Sequence, residues 1–174
     1  MQNRTLRQLT AAGVIAAAYA ALSLVLATIT FDPVQCRISE ALTLLPVISP
    51  AAIWGVTLGC AVTNGVGAAT GTNFLGLVDL PVGTAATLLA AVATRLLGKI
   101  RFGGLPWLSA LPPILFNAVA IGGEWCYAMT GSINGAFWVF AGQIALGQLP
   151  PCLLGVWLVG LLERRSLQTI IEGK

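Results

Sequence analysis

Residues 38–67 read ISEALTLLPVISPAAIWGVTLGCAVTNGVG. The stretch is apolar almost throughout, but Pro46 and Pro50 interrupt it in its first half. It is either one kinked membrane span or two short ones hinged at residues 46–50, and the fold depends on which. A spanning helix needs ~20 apolar residues to cover a ~30 Å hydrocarbon core. Four other segments approach that length: 9–31, behind Arg4 and Arg7; 75–97, ending at Arg95, Lys99 and Arg101; 105–122, broken by Pro106, Pro112 and Pro113; and 136–162, ending at Glu163, Arg164 and Arg165. If 38–67 crosses once, the 95–101 loop falls opposite Arg4 and Arg7. If it crosses twice, Arg4, Arg7, Arg95, Lys99, Arg101, Arg164, Arg165 and Lys174 share one side and only Arg37 lies on the other. That asymmetry is the positive-inside pattern. The expected fold is an all-α polytopic membrane protein of six transmembrane segments, the second and third short or broken, with both termini cytoplasmic.

Composition agrees. The chain has 174 residues, 57% of them hydrophobic, with 9 Lys+Arg, 6 Asp+Glu and no His. An ordinary soluble domain carries roughly 25% charged residues, and a surface this apolar would aggregate in water. One integral membrane domain over residues 1–174 is the expected organisation. Segment 9–31 is too long for a signal peptide and lacks a small-residue cleavage site before Asp32, so it reads as a retained anchor. A helix over 38–49 would be only ~18 Å long. It survives in a bilayer only if protein or a water-filled cavity shelters its backbone. Interrupted helices of this kind often build transporter sites; the alternative is a kinked helix that its neighbours tolerate. The two halves show no internal repeat. Gly/Asn/Thr-rich stretches at 63–73 and 124–135 read as outer loops.

Several functions are excluded. The absence of His removes H-E-x-x-H zinc sites and Ser–His dyads. No G-x-x-x-x-G-K-[ST] loop is present for ATP hydrolysis, and no enzyme motif or cofactor signature appears. The net charge of +3 does not point to nucleic acid, because the basic residues flank apolar runs as topology signals. Cys36, Cys60, Cys126 and Cys152 lack metal-ligand spacing and read as small embedded hydrophobes. The topology leaves a Cys36–Cys126 disulfide open.

In the six-segment arrangement the outer half holds Asp32, Glu40, Asp79 and Glu124 against Arg37. Ionisable residues at membrane depth point to function. Arg37 and Glu40, spaced i, i+3, share a helical face and can pair, either in a site or to fix the loop after helix 1. Asp79, two residues before Pro81, is a site residue or a helix N-cap. Asn117 must find partners in mid-span, from another helix or from a ligand. Glu124 adjoins Trp125 and Tyr127, which read as a ligand wall or an aromatic belt. Gln143 and Gln148, at i, i+5, do not share a tight face. Together these residues suit a flat, nitrogen-rich heterocycle: carboxylates and amides accept from ring N–H groups, and Trp stacks on the ring. On helix 1, Ala12, Ala16 and Ala20 form a small-residue face, for packing within the chain or for docking to another membrane protein.

The run VQCRISEALTLLP, residues 34–46, resembles the V-Q-F-R-I-S-E-A-L-T-x-L-P signature of the QueT family of bacterial queuosine-precursor transporters. Further matching stretches are PAAI at 50–53, Gly59 and Cys60 through Asn64, LVD at 77–79, GTAATLLAA at 83–91 and Pro112 through Asn117. Cys36 replaces the usual Phe, and Gln148 stands where a Glu is expected. The resemblance implies the substrate-binding S component of an energy-coupling-factor importer in the bacterial plasma membrane. It would capture a 7-deazaguanine or purine-like ligand outside. The helix 1 alanines would dock it onto a transmembrane coupling subunit driven by two cytoplasmic ATPases. The implied ligand residues are Arg37, Glu40, Asn64, Asp79, Asn117 and Glu124. Glu40 or Glu124 would take the guanine-like N–H edge or an aminomethyl ammonium, Asn64 and Asn117 would read amide-like edges, and Trp125 or Trp138 would stack. An autonomous secondary carrier or exporter of small cationic or heterocyclic compounds, using Glu40 and Asp79 for coupling, is the other functional class.

Overall fold

The computed structural model describes residues 2–32 and 34–164. Arg165 and Lys174, two charges used in the topology count, lie outside them. The order is α1 (Gln2–Val25), a short α2 (Ala27–Thr30), a 3₁₀ helix η1 (Ile38–Val47), α3 (Ala51–Thr70), η2 (Gly76–Val78), α4 (Asp79–Leu97), η3 (Trp107–Ala110), α5 (Leu111–Thr130) and α6 (Phe137–Arg164). Among the described residues four helices, covering Asn3–Val25, Ala51–Thr70, Gly76–Leu97 and Phe137–Arg164, are long and apolar enough to cross a bilayer. Helix α5 has the same 20-residue length as α3 but carries Asn117 and Glu124 within it.

Close glycine contacts give the chain directions. A Cβ on Gly55 would meet Ile15 and the Ala12 carbonyl, and one on Gly59 would meet Tyr19 and the Ala16 carbonyl. Both positions advance together, so α1 and α3 run parallel and η1 carries the chain back between them. Thr87 reaches Cys60 while the start of α4 reaches Asn64, which makes α3 and α4 antiparallel. Thr94 bonded to Ser109, and Gly122 against Ala141, continue the alternation through α5 and α6. Arg4 and Arg7 therefore share one end of the bundle with Arg95, Arg101 and Arg164. At that end Arg101 forms a two-pronged ion pair with Glu163 at 2.8 and 2.9 Å.

The short segment is sheltered. η1 packs against α1, α3, α4 and α6, and seven of its ten residues are buried. A 3₁₀ run of this length is uncommon, since its hydrogen bonds are poorer than those of an α-helix. Enclosure compensates: Leu44, Leu45 and Ile48 centre the apolar core, meeting Tyr19, Val56, Ile114 and Val156. Arg95 caps its far end by donating to the Pro46 carbonyl at 2.8 Å.

Two expectations change. The 63–73 and 124–135 stretches are mostly helical, because α3 runs to Thr70 and α5 to Thr130. Within them Gly67 packs closely against Phe31, as small residues do between helices in lipid, while Gly71 and Gly131 end α3 and α5 in the left-handed conformation. Ala12 and Ala20 are buried and Ala16 half-buried, with the Ala12 and Ala16 carbonyls seated on the α3 glycines. Those alanines build the α1–α3 seam, and the outward small stripe of α1 is Gly13, Ala17 and Ala21. All four cysteines are free.

Candidate functional site

At the end opposite the basic cluster, the chain passes from α2 into η1 with Arg37 extended (φ −90°, ψ 99°). That conformation breaks the α-helical spacing between Arg37 and Glu40. Arg37 turns to α3, where Nη2 donates to Asn64 Oδ1 at 3.3 Å and Nη1 points at Cys60 Sγ at 3.8 Å. Its guanidinium lies 5.5 Å from the Phe31 ring centroid. Glu40 turns to α1, where Tyr19 Oη donates to Oε1 at 2.6 Å. The two residues share the site without forming the ion pair their spacing suggests.

Asn64 joins α3 to α4 by donating from Nδ2 to the Asp79 carbonyl at 3.0 Å. Asp79 does not cap its helix: α4 begins at Asp79 itself, and no side-chain cap bond forms at that end. Its carboxylate accepts instead from Asn73 Nδ2 at 2.7 Å, and Asn73 Oδ1 in turn accepts from the Leu75 amide at 3.0 Å. Asn117 of α5 lies beside Glu40, and Glu124, two turns further along α5, faces Asp79. Gln148 of α6 is almost wholly buried, with Cys152 of the same helix as its neighbour.

Arg37, Glu40, Asn64, Asp79, Asn117 and Glu124 thus form one contiguous polar cluster in an apolar bundle. Buried polar atoms are nearly always partnered, yet Glu40 Oε2, Asp79 Oδ1 and both Glu124 carboxylate oxygens meet no donor in full hydrogen-bonding geometry, although Asn117 and Thr43 lie beside Glu40 and Asp79 beside Glu124. Arg37 Nε, Thr84 Oγ1 and Gln143 Oε1 are also unpartnered. Glu124 forms the wall of a cavity of about 320 Å³, lined also by Phe74, Val78, Tyr127 and Ile133. That size lies within the small-molecule range.

The aromatic residues divide. Trp125 is buried and nearly parallel to Phe74, with centroids 5.2 Å apart, and to Phe140 at 6.4 Å. Trp138 is not brought to the site: it is 76% exposed on the outside of α6, edge-on to Phe137. A residue at the first turn of α6 faces outward or inward according to helix phase, which spacing from Trp125 does not reveal. Tyr19, Asn73, Phe74 and Thr87 belong to the site but escaped the sequence reading. Only Tyr19 gave a signal, as the one phenol inside the first span. Among the described residues no group of three or more His, Cys, Asp or Glu is placed to hold a metal.

Gly83 leaves the space beside Asp79. A Cβ there would collide with Asp79 Oδ1 and lie 2.7 Å from Asn64 Nδ2. Gly83→Ala is expected to lower stability by about 1–3 kcal/mol, as overpacking does, measured by thermal unfolding in detergent. Gly65→Ala, whose Cβ would meet only Leu80 at 3.8 Å, should leave stability unchanged or slightly higher.

Among known families, the QueT transporter model matches residues 9–164. Neither a curated protein nor a solved structure matches the chain.

Proposed function

This chain belongs to the QueT transporter family, and from that premise we propose that it is the substrate-capture subunit of an energy-coupling-factor importer for a queuosine precursor. In this reading all six segments cross the bacterial plasma membrane, η1 as the short second one. The basic end, with both termini, is cytoplasmic and the polar cluster opens outward. The unpartnered buried acceptors carry the reading: four carboxylate oxygens that meet no donor in full hydrogen-bonding geometry suit a ligand rich in N–H groups, and a 7-deazaguanine offers them from its ring and its exocyclic amine. Glu40, held by Tyr19, takes the ring N–H edge. Asn64 and Asn117 read the neighbouring amide-like edge, and Arg37 balances the carboxylates. Phe74, which lines the cavity and is backed by Trp125, supplies an aromatic face.

Energy comes from separate subunits, since the chain has no phosphate-binding loop of its own. The outward side of α1, with Gly13, Ala17 and Ala21, is the docking face for the membrane coupling subunit, in place of the buried alanines.

The test is ligand binding by the purified chain. A thermal-shift panel of guanine, adenine, 7-cyano- and 7-aminomethyl-7-deazaguanine, queuine and queuosine should show stabilisation by a deazaguanine, roughly 2.7 kcal/mol at a hundred times Kd. Glu40→Gln should weaken that ligand about tenfold or more, the usual scale of a charged hydrogen bond. No shift with any compound would sink the substrate assignment. Uptake by vesicles holding this chain alone, without ATPases, would show an autonomous carrier instead.

A further inference from the structure

At the basic end of the bundle, residues 98–107 join α4 to η3 through a two-residue hairpin. Phe102 and Leu105 exchange backbone hydrogen bonds in both directions, at 3.0 and 3.2 Å, and Gly103 and Gly104 between them have φ of 60° and 80°. Positive φ at both central positions is the tight hairpin turn that glycine permits. The hairpin is fastened to the end of α6 at two points. Leu105 lies so close to Gly160 that a Cβ there would collide with it. Arg101 grips Glu163 with both nitrogens, at 2.8 and 2.9 Å. Thr94 Oγ1, donating to the Ser109 carbonyl at 3.1 Å, fixes the return into α5.

This ordered turn presents an apolar surface: Ile100, Phe102 and Trp107 are 43%, 57% and 45% exposed. Their depth says what surrounds them. Helix α4 has 19 residues, ~28 Å of helix against a ~30 Å hydrocarbon core, so the residues that follow it sit at headgroup level. Aromatic side chains favour that zone, where the ring body meets apolar matter and the edge meets water. The neighbouring charge selects among headgroups. Lys99 and Arg101 on the hairpin and Arg164 beside it carry three positive charges against one acid, Glu163, and Glu163 is spent on Arg101. Arg95 is directed to the Pro46 carbonyl. Lys99 and Arg164, both exposed, add positive charge that Glu163 does not offset. A zwitterionic headgroup brings its own cation to such a place, whereas an anionic phosphate brings only the charge that is wanted.

We propose that the 98–107 hairpin, with Arg164, is a binding site for an anionic phospholipid: Ile100, Phe102 and Trp107 enter the headgroup zone, and Lys99 and Arg164 take the phosphate. A lipid held there bridges the α4–α5 turn and the end of α6, so occupancy stabilises the bundle. The site lies at the opposite end from the outer polar cluster and stands independently of what that cluster binds.

Titration of lipid into the purified full chain in uncharged detergent tests it, read by native mass spectrometry and by the unfolding temperature. Phosphatidylglycerol should bind about tenfold or more tightly than phosphatidylcholine and should raise the unfolding temperature. Lys99→Gln/Arg164→Gln should weaken phosphatidylglycerol roughly 10- to 30-fold, the scale of two basic residues at an anionic surface, and leave phosphatidylcholine within about threefold. Both side chains are exposed, so the double variant should unfold at the native temperature in lipid-free detergent. Phe102→Ser should weaken both lipids alike. Arg4→Gln, at the same end but on α1, is the control for general attraction and should leave phosphatidylglycerol within about threefold. Glycerol 3-phosphate alone should not stabilise the chain, since it lacks the tails that hold a headgroup at this depth. Equal affinity of the native chain for the two lipids, or a loss in Arg4→Gln as large as in the double variant, would overturn the site. Stabilisation by glycerol 3-phosphate equal to that by phosphatidylglycerol would overturn the lipid assignment in favour of a free phosphate.

Discussion

Gly147→Ala is expected to cost about 3 kcal/mol, the upper end of the ordinary overpacking range. In a chain of 174 residues that corresponds to a fall in Tm of roughly 6–12 °C. A Cβ at this position would collide with the Val34 carbonyl oxygen and approach the Val34 carbonyl carbon at 2.9 Å and Gln35 O at 3.0 Å. These are backbone atoms, so no rotamer change relieves the clash. The crossing strand has little freedom of its own, because Gln35 sits at φ 34°, a region few residues other than glycine adopt. Its amide is tied to Asp32 O at 2.8 Å. Any outward shift would carry Arg37 and Glu40 with it, so ligand affinity should fall along with stability. Gly142→Ala on the same helix is the control: a Cβ there meets nothing within 4 Å, and removing an exposed helical glycine should raise stability slightly. Equal unfolding temperatures for the two variants would show that residues 34 and 35 do not lie against α6 as described.

Such dependence on one missing methyl explains what could be read in advance. Charges and amides in an apolar chain stand out because lipid makes them costly. Arg37, Glu40, Asp79, Asn117 and Glu124 were legible for that reason, and they converge. The bundle end they occupy was legible from the opposite placement of Arg4, Arg7, Arg95 and Arg164. What stayed hidden depends on rotation and local geometry. Ala12, Ala16 and Ala20 alternate around α1 with Gly13, Ala17 and Ala21, so composition alone does not say which stripe faces the protein. The Arg37–Glu40 spacing implies a pair only on an α-helix, and η1 is a 3₁₀ helix entered through an extended residue. Asn73 looks like any loop asparagine until the 70–78 turn folds back and brings its amide to Asp79. Glycine also misled in one direction: in water it marks turns, whereas between helices in lipid it lets backbones touch.

Arg37→Met should lower stability by about 3–5 kcal/mol, because removing one member of a buried charged network leaves the others uncompensated. Arg37 is 4% exposed, and Glu40 and Asp79 near it are more deeply buried still. Methionine preserves much of the side-chain length and can keep apolar contact with Phe31, so the loss isolates the guanidinium and its bonds to Asn64 and Cys60. Two explanations for the loss separate in double-mutant cycles. If Arg37 acts mainly by balancing carboxylates, Glu40→Gln should recover part of the damage, and the Arg37→Met/Glu40→Gln pair should be less than additive by 1 kcal/mol or more, within the usual coupling range. If it acts mainly as a strut between η1 and α3, the coupling should appear with Asn64→Ala and be absent with Glu40→Gln. Arg37 can balance charge without touching a carboxylate: it donates to an amide and a thiol, so it influences Glu40 and Asp79 through the field without blocking their free oxygens. Those oxygens then stay open to a ligand while the net charge of the site stays tolerable in its absence. Additivity within about 0.5 kcal/mol for Arg37→Met with Glu40→Gln would remove that role from Arg37.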